Sequence, residues 1–277
     1  MLVSSIDSEV RTSAPQTLTN FGIGTLAGNL PPSCAESSRD MPDPLPDPLP
    51  IVLIPGLTCS ARLYGDQIPA LWRFGPVTVA DHTRDDSMAA IARRILAAAP
   101  PRFALAGLSM GGYIAFEIMR QAPQRVVKLA LLDTGARAET REQTERRKAV
   151  IALAKSGRYA EVPDIAFPLY VHRNRHNDAG LKDIVRRMAA ETGAEAFLRQ
   201  QQAIIGRPDS RPGLGAIQCP TLVLVGEGDE ATPPELAREI VSLIGGARLA
   251  TIADCGHLST LEQPEKVTAA LADWMTW

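Results

Sequence analysis

The sequence predicts an α/β protein: a mostly parallel central sheet with helices on both faces, and a helical cap inserted between two strands. Three observations carry that prediction. From residue 51 onward, short apolar runs alternate with helical periods, and continuous apolar runs mark strands buried on both faces. Strands separated by helices need right-handed crossovers, which set neighbouring strands parallel. After Asp133 the alternation gives way to an Arg- and Glu-rich stretch with no strand pattern, and it resumes at Thr221.

The elements follow in order. Residues 1–50 are rich in Ser, Thr, Pro, Asn and Asp and end in Pro42-Asp43-Pro44-Leu45-Pro46-Asp47-Pro48-Leu49-Pro50. Alternate prolines lack amide donors and favour extended polyproline II, so a disordered, loosely attached extension is expected. Met41 opens this tract, which leaves residues 1–40 open to being a mis-assigned start. Ile51–Ile54 reads as a buried strand stopped by Pro55-Gly56, and Val77–Ala80 as a second stopped by Asp81-His82. Ser87 is placed to cap a helix with Met88, Ile91, Ile95 and Leu96 on one face, closed by Pro100-Pro101. Phe103–Ala106 is a third strand, Gly111–Gln121 a helix ended by Pro123, and Val126–Leu132 a fourth strand running into Asp133. Beyond the insert come a strand at Thr221–Val225, a helix from Pro233 to about Ile244, a strand at Ala247–Ile252 and a last helix from Pro264. The expected organisation is an extension (1–50), a core (51–136 and 215–277) and a helical cap (137–214).

Composition excludes several function classes. With 45% hydrophobic and 22% charged residues in 277, the chain has the make-up of a folded globular protein. Lys+Arg 29 against Asp+Glu 31 leaves a formal charge of −2, so no global field draws it to nucleic acid or a membrane surface. No apolar run approaches the roughly 18 residues that span a bilayer. Cys34, Cys59, Cys219 and Cys255 are widely spaced with no CxxC pair, the pattern of free thiols in a reducing compartment. The start carries early acids and lacks a basic segment followed by an apolar one, so the cytoplasm is the expected location. No metal-ligand spacing or dinucleotide fingerprint occurs, and neither metal nor cofactor is expected.

The chemistry lies in Gly107-Leu108-Ser109-Met110-Gly111-Gly112, which follows the third strand and opens a helix. A strand turning sharply into a helix strains the residue at its apex, and glycines two before and two after leave room for it. The Ser109 hydroxyl then projects at a helix N-terminus, where partial positive charge favours an oxyanion. A serine hydroxyl needs a base, and the base needs an orienting acid. Of four histidines, His82 sits at a strand end, His172 and His176 lie in the insert, and His257 lies in the loop before the final helix. His257 is the best-placed base. For the acid, Asp229 and Glu227 compete just beyond Val225, while Asp254 and Asp133 also follow strands. Asp229 is favoured, because Ala231-Thr232-Pro233-Pro234 supplies a turn and helix start to fix it. Cys255, two residues from His257, reads as a small buried residue, and Arg173-Asn174-Arg175-His176 as a solvated face of the cap.

The order Ser109, Asp229, His257, with the strand–turn–helix elbow and a helical insert, resembles the α/β-hydrolase fold family over about residues 50–277. A Ser at the apex sets the chain apart from the dehalogenase and epoxide hydrolase branches, which use Asp there. The resemblance implies an oxyanion hole made by the backbone N–H groups of Met110 and of Leu57, the latter in the loop after the first strand. Many members carry His-Gly in that loop, where this chain has Pro55-Gly56-Leu57, and no HGGG run is present. The implied activity is hydrolysis of a small-molecule or polymeric carboxylic ester through an acyl-enzyme. A carbon–carbon hydrolase or thioesterase on the same fold, or a non-catalytic small-molecule binder, are the alternatives. Ile165, Phe167, Leu169, Tyr170, Met188 and Phe197 are the candidates for an apolar substrate pocket under the cap. Oligomeric state leaves no signal.

Overall fold

Six strands form one sheet in the computed structural model, which describes residues 48–277. The extension read from residues 1–50 lies outside the described residues as far as residue 47. The strands are β1 (Ile51–Ile54), β2 (Val77–Val79), β3 (Phe103–Leu108), β4 (Val126–Leu132), β5 (Thr221–Gly226) and β6 (Arg248–Ile252). They lie in the order β2-β1-β3-β4-β5-β6, and every neighbouring pair is parallel. The chain adds β2 on one side of β1 and then crosses back to place β3 on the other. At such a reversal the connections leave toward opposite faces and open a crevice at the carboxyl ends of the strands. The carboxyl ends of β1 and β3 flank that crevice.

Side-chain alternation along the strands divides the core in two. Val52, Ile54, Phe103, Leu105, Leu129, Leu131, Val223 and Val225 belong to one apolar cluster. Ile51, Leu53, Ala104, Ala106, Ala130, Leu132, Leu222 and Leu224 belong to the other. Helices α1 (Ile68–Leu71), α2 (Met88–Ala98) and α3 (Met110–Gln121) precede the insert. The insert comprises α4 (Arg141–Leu153), α5 (Val162–Tyr170), α6 (Ala179–Thr192), α7 (Ala194–Ile205) and α8 (Arg211–Leu214). The chain closes with α9 (Pro234–Leu243), α10 (Ser259–Glu262) and α11 (Pro264–Thr276). Buried residues of α2, α3 and α9 cover the first face, and those of α1 and α11 the second.

The insert has no core of its own. Phe197 and Ile204 of α7 join the first cluster, while Phe167 of α5 and Val185 and Met188 of α6 join the second. Ser87 caps α2 by accepting the Ala90 N–H, as its position before the apolar period implies. The elements with no sequence signal are the shortest: α1, α8 and α10 have four residues each, too few to display a helical period. Among the described residues no helix is long and apolar enough to cross a membrane.

Candidate active site

Ser109 is the residue between β3 and α3. Its backbone, at φ 55° and ψ −114°, occupies a region that costs a side-chain-bearing residue about 1–3 kcal/mol. The surroundings over-determine it. Its N–H donates to the Leu132 carbonyl at 2.9 Å, and its own carbonyl accepts from Thr134 Oγ1 at 2.8 Å and the Gly112 N–H at 2.9 Å. A Cβ on Gly107 would strike the Gly111 carbonyl, and one on Gly111 the Ile54 carbonyl of β1. These glycines serve close backbone packing rather than unusual dihedrals. Met110 opens α3, so its N–H has no acceptor within the helix.

Three side chains from three strand ends meet here. Ser109 Oγ lies 2.9 Å from His257 Nε2, and His257 Nδ1 lies 2.8 Å from Asp229 Oδ2. Asp229 follows β5 in a turn that its own side chain closes, Oδ1 accepting the Ala231 and Thr232 N–H groups, both at 2.9 Å. Thr232 Oγ1 donates to Asp229 Oδ2 at 2.7 Å. With Nδ1–H directed at the carboxylate, Nε2 is left as an acceptor for the Ser109 hydroxyl. Glu227 and Asp254, the rival acids after their strands, are exposed, whereas Asp229 is buried.

Burial pulls the His257 pKa down, but the charge and hydrogen bond of Asp229 outweigh it and the net direction is upward from 6.5. Asp133, at the end of β4, is fully buried; its Oδ1 accepts the Gly226 N–H at 2.9 Å and its Oδ2 meets Ser259 Oγ at 2.5 Å. Burial, reinforced by the nearby Asp229, holds the Asp133 carboxyl well above the usual range. Asp133 and Glu262 add smaller upward pulls of the same sign at His257.

His82 does not reach this group. Buried beyond β2, its Nε2 lies 2.9 Å from the Gly56 carbonyl, and burial lowers its pKa, so it acts as a neutral N–H donor steadying the loop after β1. In the insert, His176 is exposed, as are Arg173 and Asn174, and Arg175 pairs with Asp178 at 2.8 Å. Cys255 is fully buried, with its thiol pushed up by burial. Cys59 is likewise pushed up to about 12. Among the described residues the cysteines are unpaired, and no group of three or more His, Cys, Asp or Glu could hold a metal ion.

A shallow cleft opens over Ser109 and His257. One wall is the loop after β1, Gly56 to Cys59, which includes Leu57; the insert contributes Tyr170, Val185 and Met188. The Tyr170 ring stacks on the His257 imidazole at 5.5 Å between centroids. The other expected pocket residues lie elsewhere. Ile165 and Leu169 are 57% and 46% exposed, on the turns of α5 that face solvent. Phe167 and Phe197 are buried in the two core clusters and are absent from the cleft wall. The sequence reading missed Thr232, Cys59, Val185 and Leu258. Only Thr232 had a local signal, an Asp followed three residues later by Thr at a helix start. A second depression, beside Arg120, Arg137 and Arg207, contains none of the candidate residues.

Comparison with known proteins agrees with this architecture. A family model described as the Alpha/beta hydrolase family matches residues 51–271. A protein of Mycobacterium tuberculosis bearing the name of a non-heme bromoperoxidase, BpoC, is 30% identical over 184 residues, 62% of this chain and 67% of that one. A pimeloyl-[acyl-carrier protein] methyl ester esterase of Aromatoleum aromaticum is 25% identical over 201 residues, 69% of this chain and 80% of its own. A thermophilic esterase from Thermogutta terrifontis superposes with a TM-score of 0.75 at 29% identity, over 82% of this chain and 89% of that one. The chain belongs to the α/β-hydrolase family.

Proposed function

With membership of that family as the premise, we propose that this chain is a serine hydrolase that cleaves carboxylic esters through an acyl-enzyme. The observation that carries the reading is the continuous hydrogen-bonded chain Ser109–His257–Asp229 beneath an open cleft. Ser109 Oγ attacks the ester carbonyl carbon while His257 Nε2 takes the hydroxyl proton. The negative charge that forms on the carbonyl oxygen is held by the backbone N–H groups of Met110 and Leu57. Collapse breaks the bond to the alcohol oxygen, which leaves with the proton from His257. Water, deprotonated by the same imidazole, then attacks the acyl-serine and frees the acid. Asp229 keeps the imidazole oriented and stabilises its cationic form.

The cleft supports an uncharged acyl group. Leu57, Leu108, Val185, Met188 and Leu258 line it, and among the described residues no Lys, Arg, Asp or Glu does. The insert acts as the cap over this cleft, and the substrate is a small ester or an ester-bearing chain end that enters beneath it. Two similar proteins bear the name esterase, which favours esters over the other bonds cleaved on this fold. The test is Ser109→Ala against a panel of ester, thioester and diketone substrates, with fluorophosphonate labelling. Wild type should hydrolyse the esters and take the label. The variant should lose both while keeping its melting temperature. Retention of more than a few per cent of turnover removes Ser109 from the role.

A further inference from the structure

His257 sits on a loop whose backbone is held from two directions. From the insert, the Tyr170 carbonyl at the end of α5 accepts both the His257 and Leu258 N–H groups, each at 3.1 Å. From α10, Glu262 supplies the second hold. Its Oε1 accepts the Gly256 N–H at 3.0 Å and the Leu258 N–H at 3.2 Å, the amides of the two residues on either side of His257. Its Oε2 accepts the His172 N–H of the insert at 2.7 Å. Glu262 is 3% exposed. A buried carboxyl is costly unless donors converge on it, and three do. The same segment, Tyr170 to His172, carries the Tyr170 ring that lines the cleft and stacks on the imidazole.

We propose that Glu262 is a positioning residue for His257, its one carboxylate gripping the peptides that flank the imidazole and the insert segment that walls the cleft. The inference rests on the role given to His257 above. Glu262 thereby ties base and cleft wall together alongside the Tyr170 carbonyl, and a shift of the insert at His172 is transmitted to the imidazole. Glu262 touches neither Ser109 nor the His257 ring, so its effect on turnover is indirect.

The ring has further neighbours that a pH profile must take into account. Ser109 lies at the β3 elbow and Asp229 and Thr232 in the turn after β5; Asp133 ends β4, and Tyr170 stacks from α5. Near Glu262 itself lie His172 and Arg175, whose Nη1 donates to the Glu262 carbonyl at 3.0 Å. The Glu262 carboxylate adds to the negative field at His257 and favours the imidazolium. Its removal should therefore lower the His257 pKa.

Two variants separate field from geometry. Glu262→Gln removes the charge and turns an NH2 group toward N–H donors. It should lower kcat about 10- to 100-fold, a range typical of sub-ångström misplacement of a base, with KM changed far less. The acid limb of its kcat/KM profile should move to lower pH. Glu262→Asp keeps the charge but draws the oxygens back by one methylene, so kcat should fall while the limb stays in place. The imidazole pKa of His257, followed by NMR and assigned by the signal lost in His257→Gln, reads the same shift without substrate. A fall in melting temperature with kcat and the His257 pKa unchanged in both variants would overturn the proposal. If wild type hydrolyses no ester, the functional reading fails, and the NMR titration still decides whether Glu262 governs the imidazole.

Discussion

The candidate site is assembled by two regions built on different principles. The sheet's carboxyl edge supplies Ser109, Asp229 and His257, each fixed within a few residues of a strand end by buried hydrogen bonds. The insert supplies Tyr170, Val185 and Met188, which form part of the cleft wall, while its outer faces carry exposed ion pairs such as Arg186–Asp164 and Arg158–Glu161. Strand register dictates where the first set lies, because neighbouring strands in a parallel sheet end together. Helix packing dictates the second, and helices can slide or rotate with small changes in energy. On the proposed function, the chemistry falls to the sheet and the choice of substrate to the insert. Substitutions in the sheet edge should then act on kcat, and those in the insert on KM and preference.

The largest expected effect is on the sheet side. Asp229→Asn should lower kcat by about 10³- to 10⁴-fold with KM affected less, because the imidazolium loses its counter-charge and its fixed tautomer. In wild type, kcat/KM should rise with pH through an apparent pKa above 6.5, as the raised His257 loses its proton and becomes a base. Asp229→Asn removes the group that raises it while burial remains, so the limb should move to lower pH. Asp133→Asn is the matched control. Its carboxamide can still accept the Gly226 N–H and donate to Ser259, and it keeps the size of a carboxyl that burial pushes well above the usual range. It should retain kcat within about tenfold and move the limb to lower pH by less than Asp229→Asn does, the modest effect of a field change outside the direct chain. An Asp133→Asn variant crippled like Asp229→Asn would mean that the two strand ends share the orienting role.

The same division explains what the sequence disclosed. The apolar runs of β1, β3 and β5 are buried at every position and that of β4 at all but Val127, so their boundaries could be read to within two residues. Ser109 stood out because it follows β3 directly, and Asp229 and His257 because they lie in the loops after β5 and β6. The insert was legible only as helical. Along α5 every apolar residue looks alike in the sequence, yet Phe167 turns into the core and Ile165 and Leu169 turn outward. Which side of α5 faces the sheet depends on contacts with α6 and on Val162 and Pro163 at its start, and these are tertiary facts. Glu262 was silent for a related reason, since its three donors come from residues 172, 256 and 258 and only the fold brings them together.

A middle-sized effect is expected where the regions meet. Met188 is 1% exposed, joins the apolar cluster on the second face of the sheet and also lines the cleft. Met188→Ala should cost about 2–5 kcal/mol of stability, the usual loss for truncating a buried Met. Because it enlarges the cleft beyond Ser109, it should also lower KM for longer acyl chains while kcat on a short ester stays within a few-fold. Denaturant unfolding and an ester chain-length series measure the two effects. A large fall in kcat on every chain length would place Met188 with the catalytic edge instead.

The smallest expected effect lies on the outer face of the insert. Ile165 is 57% exposed and outside the cleft wall, although its apolar character suggests a substrate contact. Ile165→Ser removes exposed apolar surface and leaves no cavity, so stability should change by no more than about 0.5 kcal/mol. Both kcat and KM should stay within about twofold across the chain-length series, because no contact to the cleft is lost. Unfolding in denaturant and the same ester series check both expectations. A selective rise in KM for long-chain esters with unchanged stability would contradict them. It would mean that α5 turns inward over bound substrate, and that the insert has a second arrangement in which Ile165 faces the acyl chain.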